Sequence, residues 1–285
     1  MIAVTGSSGQ LGRLVVNSLL RAVPASQIVA GARTPEKVRD LASKGVVVRQ
    51  ADYSRPETLG PALAGVEKLL LISGSEVGRR VEQHKAVIAA ARQAGVKLIV
   101  YTSILHADRS PIGLAEEHRQ TEAAIRASGL PFVILRNSWY TENYVNAAVQ
   151  AAKLGVHYGC AGQGRISAAS RADYADAAVA VLTAKDDRSG RIYELAGDEA
   201  FTLADFAAEV GRQSGKPVRY QNLPEAEYRA VLVKAGLPEP LAAMLANGEV
   251  GISKDALFDD SRQLHGLIGR ATTPISATIK AALAA

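Results

Sequence analysis

The first twelve residues constrain the fold more than any other stretch, because a short apolar strand runs directly into three regularly spaced glycines. Ile2-Ala3-Val4 is the strand, the glycines lie at 6, 9 and 12, and helical apolar spacing continues towards Pro24. Glycine permits a tight turn, lets backbone N–H groups approach a pyrophosphate, and brings helix and strand close together. A helix beginning there directs its free N–H groups at the anion. The pattern predicts dinucleotide contacts from Gly6, Ser7, Ser8, Gly9, Gln10, Leu11 and Gly12.

The end of the second predicted strand, Gln27–Arg33, favours one cofactor over another. An NAD-binding protein places Asp or Glu there to accept from the ribose 2′-hydroxyl. This chain has Arg33, with Lys37 one helical turn later. A guanidinium can bind a phosphate through two parallel hydrogen bonds, so the position predicts NADPH.

Two further strand ends predict cofactor contacts. The third strand, Val46–Gln50, leads into Asp52 and Tyr53, which we expect at the adenine, with helix capping as the alternative use of Asp52. The fourth, Lys68–Ser73, is an uninterrupted apolar run of the kind buried on both faces. Its end supplies three predicted contacts to the nicotinamide ribose, Ser73, Gly74 and Ser75.

Strand and helix alternate with short connections as far as Asn137. This pattern predicts an α/β fold, a Rossmann-like doubly wound parallel sheet with a smaller α/β C-terminal lobe. We assign residues 1–137, with returning segments near 155–200, to the NADP-binding domain. Residues 138–154 and 200–285 form the smaller lobe that covers the substrate. Within it, Thr202 and Asp205 predict a helix start, while Pro224, Pro238 and Pro240 predict breaks between short helices.

Composition narrows the class of protein. The net charge is +5, but acidic and basic residues are interleaved, which favours non-specific electrostatics over nucleic-acid binding. The early first strand leaves no room for a cleaved signal and no apolar run approaches a membrane span, so we expect a soluble cytoplasmic protein. The single cysteine, Cys160, is interpreted as a small buried apolar residue. No residue spacing predicts a metal site.

The acid–base pair typical of short-chain dehydrogenases is missing. Those enzymes carry Tyr-x-x-x-Lys, in which the tyrosine protonates the substrate oxygen and the lysine lowers its pKa. None of the nine tyrosines has a lysine four residues later, and the helix where the pair would lie, residues 116–122, contains no tyrosine. Either the protein does not catalyse, or its substrate needs little acid help.

Four stretches carry a resemblance to a known family: Val-Thr-Gly-Ser-Ser-Gly-Gln-Leu-Gly, Lys-Leu-Leu-Leu-Ile-Ser-Gly-Ser-Glu-Val-Gly, Tyr-Thr-Ser-Ile-Leu-His-Ala-Asp and Leu-Arg-Asn-Ser-Trp-Tyr-Thr-Glu-Asn-Tyr. The chain resembles the bacterial type 2 NAD(P)H:quinone oxidoreductases, which belong to the NmrA-like atypical short-chain dehydrogenases. The glycine stretch is general to the superfamily, whereas the last stretch is far more specific. The resemblance implies a quinone reductase that uses NADPH without flavin. Some NmrA-like relatives instead sense NADP without turning it over, and that remains the alternative.

A quinone explains the missing tyrosine, because hydride addition gives a hydroquinone anion that is a much weaker base than an alkoxide. A hydrogen-bond donor then suffices. We assign that role to Asn143, with turn chemistry as its alternative. Trp139 and Tyr140 are predicted to stack on a planar ring, with packing as their alternative. Another electrophile, such as an azo compound or an enone, would suit the same site.

The remaining candidates are polar residues near the sheet. Asn137 is expected at the nicotinamide, and Ser103 at the cofactor or substrate. His118 and His106 are candidates for relaying a proton, against ordinary structural roles. His84 lies in a polar stretch and is predicted to be at the surface, as is His265. The expected partner is a small-molecule quinone, and the chain is expected to be a monomer or a homodimer.

Overall fold

A computed structural model describes residues 1–284 and divides the chain into two compact units. Unit 1 comprises Met1–Ala107, Glu116–Asn137 and Arg171–Tyr193. Unit 2 comprises Asp108–Ala115, Ser138–Ser170 and Glu194–Ala285. The region near 155–200, in which segments are predicted to return to the nucleotide-binding domain, is therefore divided between the two units.

A seven-stranded sheet organises the first unit. The strands are β1 Ile2–Val4, β2 Ile28–Ala32, β3 Val47–Gln50, β4 Lys68–Leu71, β5 Leu98–Ile104, β6 Phe132–Asn137 and β8 Ile192–Leu195. Their order is β3-β2-β1-β4-β5-β6-β8, with parallel pairings from β3 to β6, and this is the doubly wound parallel sheet predicted from the sequence. Because a parallel strand here is covered on both faces, β2 is buried at every position.

The helices that connect these strands are amphipathic or built from small residues. They are α1 Gln10–Leu19, α2 Arg39–Ala42, α3 Leu59–Leu63, α4 Arg80–Gln93, α5 Ala115–Ala127 and α7 Arg171–Leu182. The core on one face of the sheet contains Leu69, Leu71, Ile99 and Tyr101, all fully buried. Burial of such side chains supplies most of the free energy that holds helix to sheet.

Unit 2 is mainly helical. Its elements are α6 Val145–Leu154, β7 Val156–Gly159, α8 Leu203–Ser214, β9 Arg219–Asn222, α9 Glu225–Lys234, α10 Glu239–Ile252, α11 Gln263–Ile268 and α12 Ile275–Ala284. Strands β7 and β9 pair in parallel. The predicted capping pair is confirmed, since Thr202 accepts from the backbone of Asp205 while the Asp205 carboxylate accepts from the Thr202 backbone.

Two predictions about single residues are wrong. Pro240 does not break a helix but lies in the first turn of α10, where its missing N–H costs nothing. His84 is fully buried rather than at the surface. It shares a helix face with Val87, Ile88 and Ala91 at spacings of three, four and seven residues. The apolar periodicity of α4 therefore indicates that position 84 is buried. His265 is partly exposed.

Candidate functional site: a cavity at the carboxyl ends of four strands

A cavity of about 380 Å³ opens in unit 1 where β1, β2, β3 and β4 end. Ligands of open parallel sheets bind in this place, where the strand order reverses between β1 and β4. The residues that line it are Gly6, Ser8, Gly9, Arg33, Lys37, Ala51, Asp52, Tyr53, Ile72, Ser73, Gly74, Ser75, Glu76 and Gln83. Four separate segments of sequence thus meet at one surface.

The glycine turn, residues 6–12, forms one wall from backbone. Gly6 has φ +63°, a conformation that favours glycine. A Cβ on Gly12 would lie 2.4 Å from the carbonyl oxygen of Gly6, and one on Gly9 would lie 3.2 Å from the same atom. The turn therefore packs the start of α1 against β1 without room for side chains. The N–H groups in the first turn of α1 have no partners within the helix, which suits an anion.

Not every predicted residue of the turn lines the cavity. The Ser7 side chain is fully buried, and its hydroxyl donates to the carbonyl oxygen of Val4 at 2.6 Å. Gln10, Leu11 and Gly12 belong to α1 and are absent from the lining described above. Ser7 and Gly12 therefore shape the turn.

The opposite wall is the β4–α4 loop, residues 72–79, which is held by side chains. His84 Nε2 accepts from the Gly74 N–H at 2.9 Å, and Arg80 Nε donates to the Gly74 carbonyl at 2.7 Å. The Gly78 N–H donates to the Glu117 carboxylate at 2.8 Å, and Glu117 forms a largely buried ion pair with Arg80. These contacts fix both ends of the loop.

The hydrogen bonds assign the tautomer of His84. Thr121 donates its hydroxyl hydrogen to the Glu117 carbonyl, so its oxygen accepts from His84 Nδ1–H at 3.0 Å. Nε2 is then the acceptor for Gly74. Burial, with the charge of Arg80, lowers the pKa of His84 to about 3, so the ring is neutral near pH 7.

The predicted adenine residues are held differently from each other. The Tyr53 hydroxyl lies 2.5 Å from Thr5 Oγ1 and 2.9 Å from the Ile72 carbonyl oxygen, and burial raises its pKa. Asp52 accepts from the backbone N–H of Ser54 at 3.0 Å. That contact is the local turn chemistry of an Asx turn, and Asp52 also lines the cavity.

Two predicted contacts from β5 and β6 lie apart from this lining. Ser103 donates to Glu122 at 2.7 Å, and Glu122 forms a buried ion pair with Arg136. Asn137 is buried, and its Oδ1 accepts no hydrogen bond from residues 1–284. A buried acceptor of this kind is costly unless something donates to it.

The predicted proton relay, His118, is buried in α5. Its Nδ1 is hydrogen-bonded to the Tyr101 hydroxyl at 2.7 Å. Burial, assisted by the charge of Arg80, lowers the pKa of His118 to about 3. Near pH 7 this imidazole is therefore neutral.

The predicted substrate residues belong to unit 2. Thr141–Tyr144 is a 3₁₀ turn that the Asn143 N–H closes by donating to the Tyr140 carbonyl at 3.0 Å. The Asn143 side chain is exposed. Trp139 is half-buried and packs against the core of unit 2, and Tyr140 pairs with Ala169 through a single β-bridge.

Sequence reasoning missed Glu76 and Gln83, which line the cavity. Glu76 is paired with Arg33 at 3.1 Å, a contact between residues 43 positions apart. Over residues 1–284, no three His, Cys, Asp or Glu side chains group as metal ligands. Across the same residues, no helix combines the length and apolar character that crossing a bilayer requires.

The sheet order, the glycine turn and the cavity at the strand ends define a Rossmann-type dinucleotide-binding protein. A family model described as NAD(P)H-binding matches residues 6–185. The chain belongs to this family.

Three comparisons place it more closely. It is 55% identical to quinone oxidoreductase 2 of Escherichia coli K12 over 98% of this chain and 97% of that protein. The crystal structure of the NADPH-dependent quinone oxidoreductase of E. coli complexed with NADPH matches 99% of this chain and 100% of that one, with a TM-score of 0.97 and 54% identity. The triphenylmethane reductase of Citrobacter sp., complexed with NADP(H), matches with a TM-score of 0.94 and 42% identity, covering 99% and 100%. The resemblance to bacterial type 2 quinone oxidoreductases is thereby confirmed.

Proposed function

We propose that the protein is an NADPH-dependent quinone oxidoreductase that works without flavin. The observation that carries this function is the 55% identity to E. coli quinone oxidoreductase 2, which extends over 98% of the chain. The sensor alternative is not favoured, because similarity at this level and coverage is to a reductase.

The cavity suits the adenosine and pyrophosphate parts of NADPH. A Cβ on Gly9 or Gly12 would meet the Gly6 carbonyl oxygen, so the turn stays free of side chains there, and the N–H groups in the first turn of α1 would bind the pyrophosphate. Arg33 and Lys37 would bind the 2′-phosphate, whose charge a guanidinium and an ammonium complement. Asp52 and Tyr53 would contact the adenine.

The nicotinamide end would be held by Ser73, Gly74 and Ser75 at the ribose and by Asn137 at the ring. Asn137 Oδ1 is buried and has an acceptor position to offer. The nicotinamide carboxamide carries N–H donors that match it. The Ser103 hydroxyl donates to Glu122, so we assign Ser103 a role in positioning neighbouring groups and not direct contact with the reacting atoms.

When bound, NADPH supplies a hydride from C4 of its nicotinamide, and with one proton from water the quinone becomes a hydroquinone. The chain has to orient the quinone and stabilise the negative oxygen that forms. We assign the hydrogen bond to that oxygen to the exposed amide of Asn143, and ring stacking to Trp139 and Tyr140. In this proposal His118 is a neutral imidazole hydrogen-bonded to the Tyr101 hydroxyl, and it does not act as a charged acid.

The experiment is to follow NADPH absorbance with purified protein and a panel of quinones, with no flavin added. Saturable oxidation of NADPH with matching hydroquinone formation is the expected result. Tight NADPH binding without turnover on any quinone would contradict the proposal and return the sensor as the leading function.

A substitution tests the role of Asn143. In Asn143→Ala we expect kcat to fall by about 100-fold, the lower end of the effect of removing one donor to a developing oxyanion, while NADPH affinity is kept. Asn146→Ala is the matched control, since Asn146 is also an exposed asparagine, three residues later on α6. Equal turnover in the two variants would remove Asn143 from the mechanism.

A second candidate activity is reduction of a dye. The triphenylmethane reductase of Citrobacter sp. is 42% identical over 99% of this chain. A triphenylmethane dye therefore belongs in the substrate panel. A higher kcat/KM for the dye than for every quinone would reassign the substrate without changing the cofactor site.

A further inference from the structure

A carboxylate forms part of the cavity wall next to the proposed 2′-phosphate residue. Glu76 Oε1 accepts from Arg33 Nη1 at 3.1 Å. Its other oxygen, Oε2, accepts from Gln83 Nε2 at 3.0 Å and from Arg79 Nη1 at 3.3 Å. Arg33, Glu76 and Gln83 all line the cavity. Three donors from two segments therefore converge on one acidic side chain.

This arrangement opposes binding of a 2′-phosphate. Bidentate recognition of a phosphate uses two donors of one guanidinium, and Glu76 engages one of those of Arg33. The carboxylate also has the same sign of charge as the phosphate. The Arg33 side chain is 67% exposed, and exposed ion pairs are weak, so phosphate can displace Glu76 at a modest free-energy cost.

The same carboxylate suits NADH, which carries a 2′-hydroxyl in place of the 2′-phosphate. Dinucleotide-binding proteins specific for NAD use an acidic residue at the end of the second strand to accept from the ribose 2′-hydroxyl. Here Arg33 follows the last residue of that strand, and the acidic residue comes from the β4–α4 loop. We infer that Glu76 competes with the 2′-phosphate for Arg33. This competition reduces the preference of the protein for NADPH over NADH. This inference rests on the proposed role of Arg33.

The test is Glu76→Gln, which removes the charge and keeps the shape. Dissociation constants for NADPH, NADH, 2′,5′-ADP and 5′-AMP are measured by calorimetry, without any quinone. We expect NADPH and 2′,5′-ADP to bind about 1.5- to fivefold more tightly, the scale of one exposed ion pair. NADH and 5′-AMP should bind equally or less tightly.

The control variant is Glu82→Gln. Glu82 is exposed, pairs with Lys85 on α4 and lies outside the cavity lining. Its substitution by Gln therefore makes the same change in net charge away from the cavity. It should leave all four dissociation constants unchanged. A Glu76→Gln protein that binds NADPH no more tightly than this control would overturn the inference, and weaker binding would show that Glu76 supports Arg33.

A double substitution separates the inference from the proposed function. In an Arg33→Gln background the gain from Glu76→Gln should disappear, because nothing is left to compete for. A gain of the same size there would mean a general charge effect and would also overturn the inference. If Arg33→Gln by itself weakens NADPH and NADH equally, the proposed binding mode of the cofactor is what fails. Quinone turnover is measured separately from all of these constants.

Discussion

The glycine turn and the β4–α4 loop line the same cavity but are built in opposite ways. The turn is defined by backbone, since the nearest atoms to an added Cβ on Gly9 or Gly12 are main-chain atoms of Gly6 and Ser7. The loop is defined by side chains, since His84, Arg80 and Glu117 hold its backbone from two helices.

This difference predicts different sensitivities. A backbone wall cannot yield to an extra carbon atom, but it carries no group that titrates. A wall held by polar side chains has room to adjust, but its geometry depends on the charge and protonation of each partner. We therefore expect substitutions in the turn to act through steric overlap and substitutions around the loop to act through lost hydrogen bonds.

The largest effect should come from Gly12→Val. Its Cβ would lie 2.4 Å from the Gly6 oxygen and 2.8 Å from the Gly6 carbonyl carbon, and neither is a side-chain atom that can rotate away. We expect NADPH affinity to fall by about a hundredfold or more, together with a lower Tm. Gly60→Ala is the control, because a Cβ at Gly60 meets nothing within 4 Å. Near-native NADPH binding by Gly12→Val would remove the steric argument for the turn.

Arg33→Gln should have the next largest effect. Loss of a charge-assisted contact to phosphate is expected to weaken NADPH binding by about 10- to 100-fold and NADH binding little. The ratio of the two dissociation constants, measured by fluorescence titration, is the readout. A ratio that matches the unsubstituted protein would show that discrimination lies elsewhere in the cavity.

His84→Leu tests how the β4–α4 loop is held. It leaves the part-buried Gly74 N–H without its acceptor, at a cost near the lower end of the ~1–3 kcal/mol for an unsatisfied donor. We expect NADPH to bind several-fold more weakly while the glycine turn keeps its structure. His265→Leu is the control, since that histidine belongs to unit 2 and its side chain is 42% exposed. Equal NADPH affinity in both variants would mean that the loop is positioned without His84.

The last prediction concerns the free energy of unfolding rather than NADPH affinity, and it is a dependence on acid. Burial lowers the pKa of His84 and His118 to about 3 and that of His157 to about 4, each from an ordinary 6.5. Below pH 6.5 the unfolded chain therefore binds protons that the folded chain does not. The free energy of unfolding should fall as pH decreases from about 6.5 to 4, by at most ~1.4 kcal/mol per pH unit for each histidine.

Urea unfolding at several pH values measures this slope. In the folded protein His157 is packed against Phe206 and Tyr220 and stays neutral, whereas in the unfolded chain it binds a proton. In His157→Gln that proton is lost, so the slope should decrease by the equivalent of one proton. A slope identical to that of the unsubstituted protein would show that His157 does not contribute. Above about pH 7.5 the three histidines should contribute no pH dependence to stability, because the unfolded chain no longer protonates them.

The features that depend on neighbouring residues could be predicted from the sequence. The first strand, the glycine turn and the parallel sheet follow from apolar runs and from glycines a few residues apart. The Thr202–Asp205 cap is equally local. The residue pattern behind each of these features lies within one turn of helix or one strand, so it can be recognised without knowledge of the rest of the chain.

The features that require two distant segments could not be predicted. The contact between Arg33 and Glu76 depends on β2 and β4 lying on either side of β1, which brings their following loops together. The hydrogen bond between His84 and Gly74 likewise needs α4 to pack back against the loop that precedes it. His84 was mispredicted because its polar neighbours were weighed more than the helical spacing of its apolar ones. The roles of Asn143, Trp139 and Tyr140 stay predictions.

The environment of Cys160 has a consequence for an enzyme whose substrate is an electrophile. Quinones are electrophiles that arylate cysteine, and the thiolate is the form of cysteine that attacks them. The chain has one cysteine, its thiol is buried against the Ala246 carbonyl oxygen at 3.6 Å, and burial, with the negative charge of Glu249, raises its pKa to about 12. Near pH 7 this sulfur is a protected thiol. The protein can thus be exposed to a reactive quinone through many turnovers without offering it a nucleophilic sulfur.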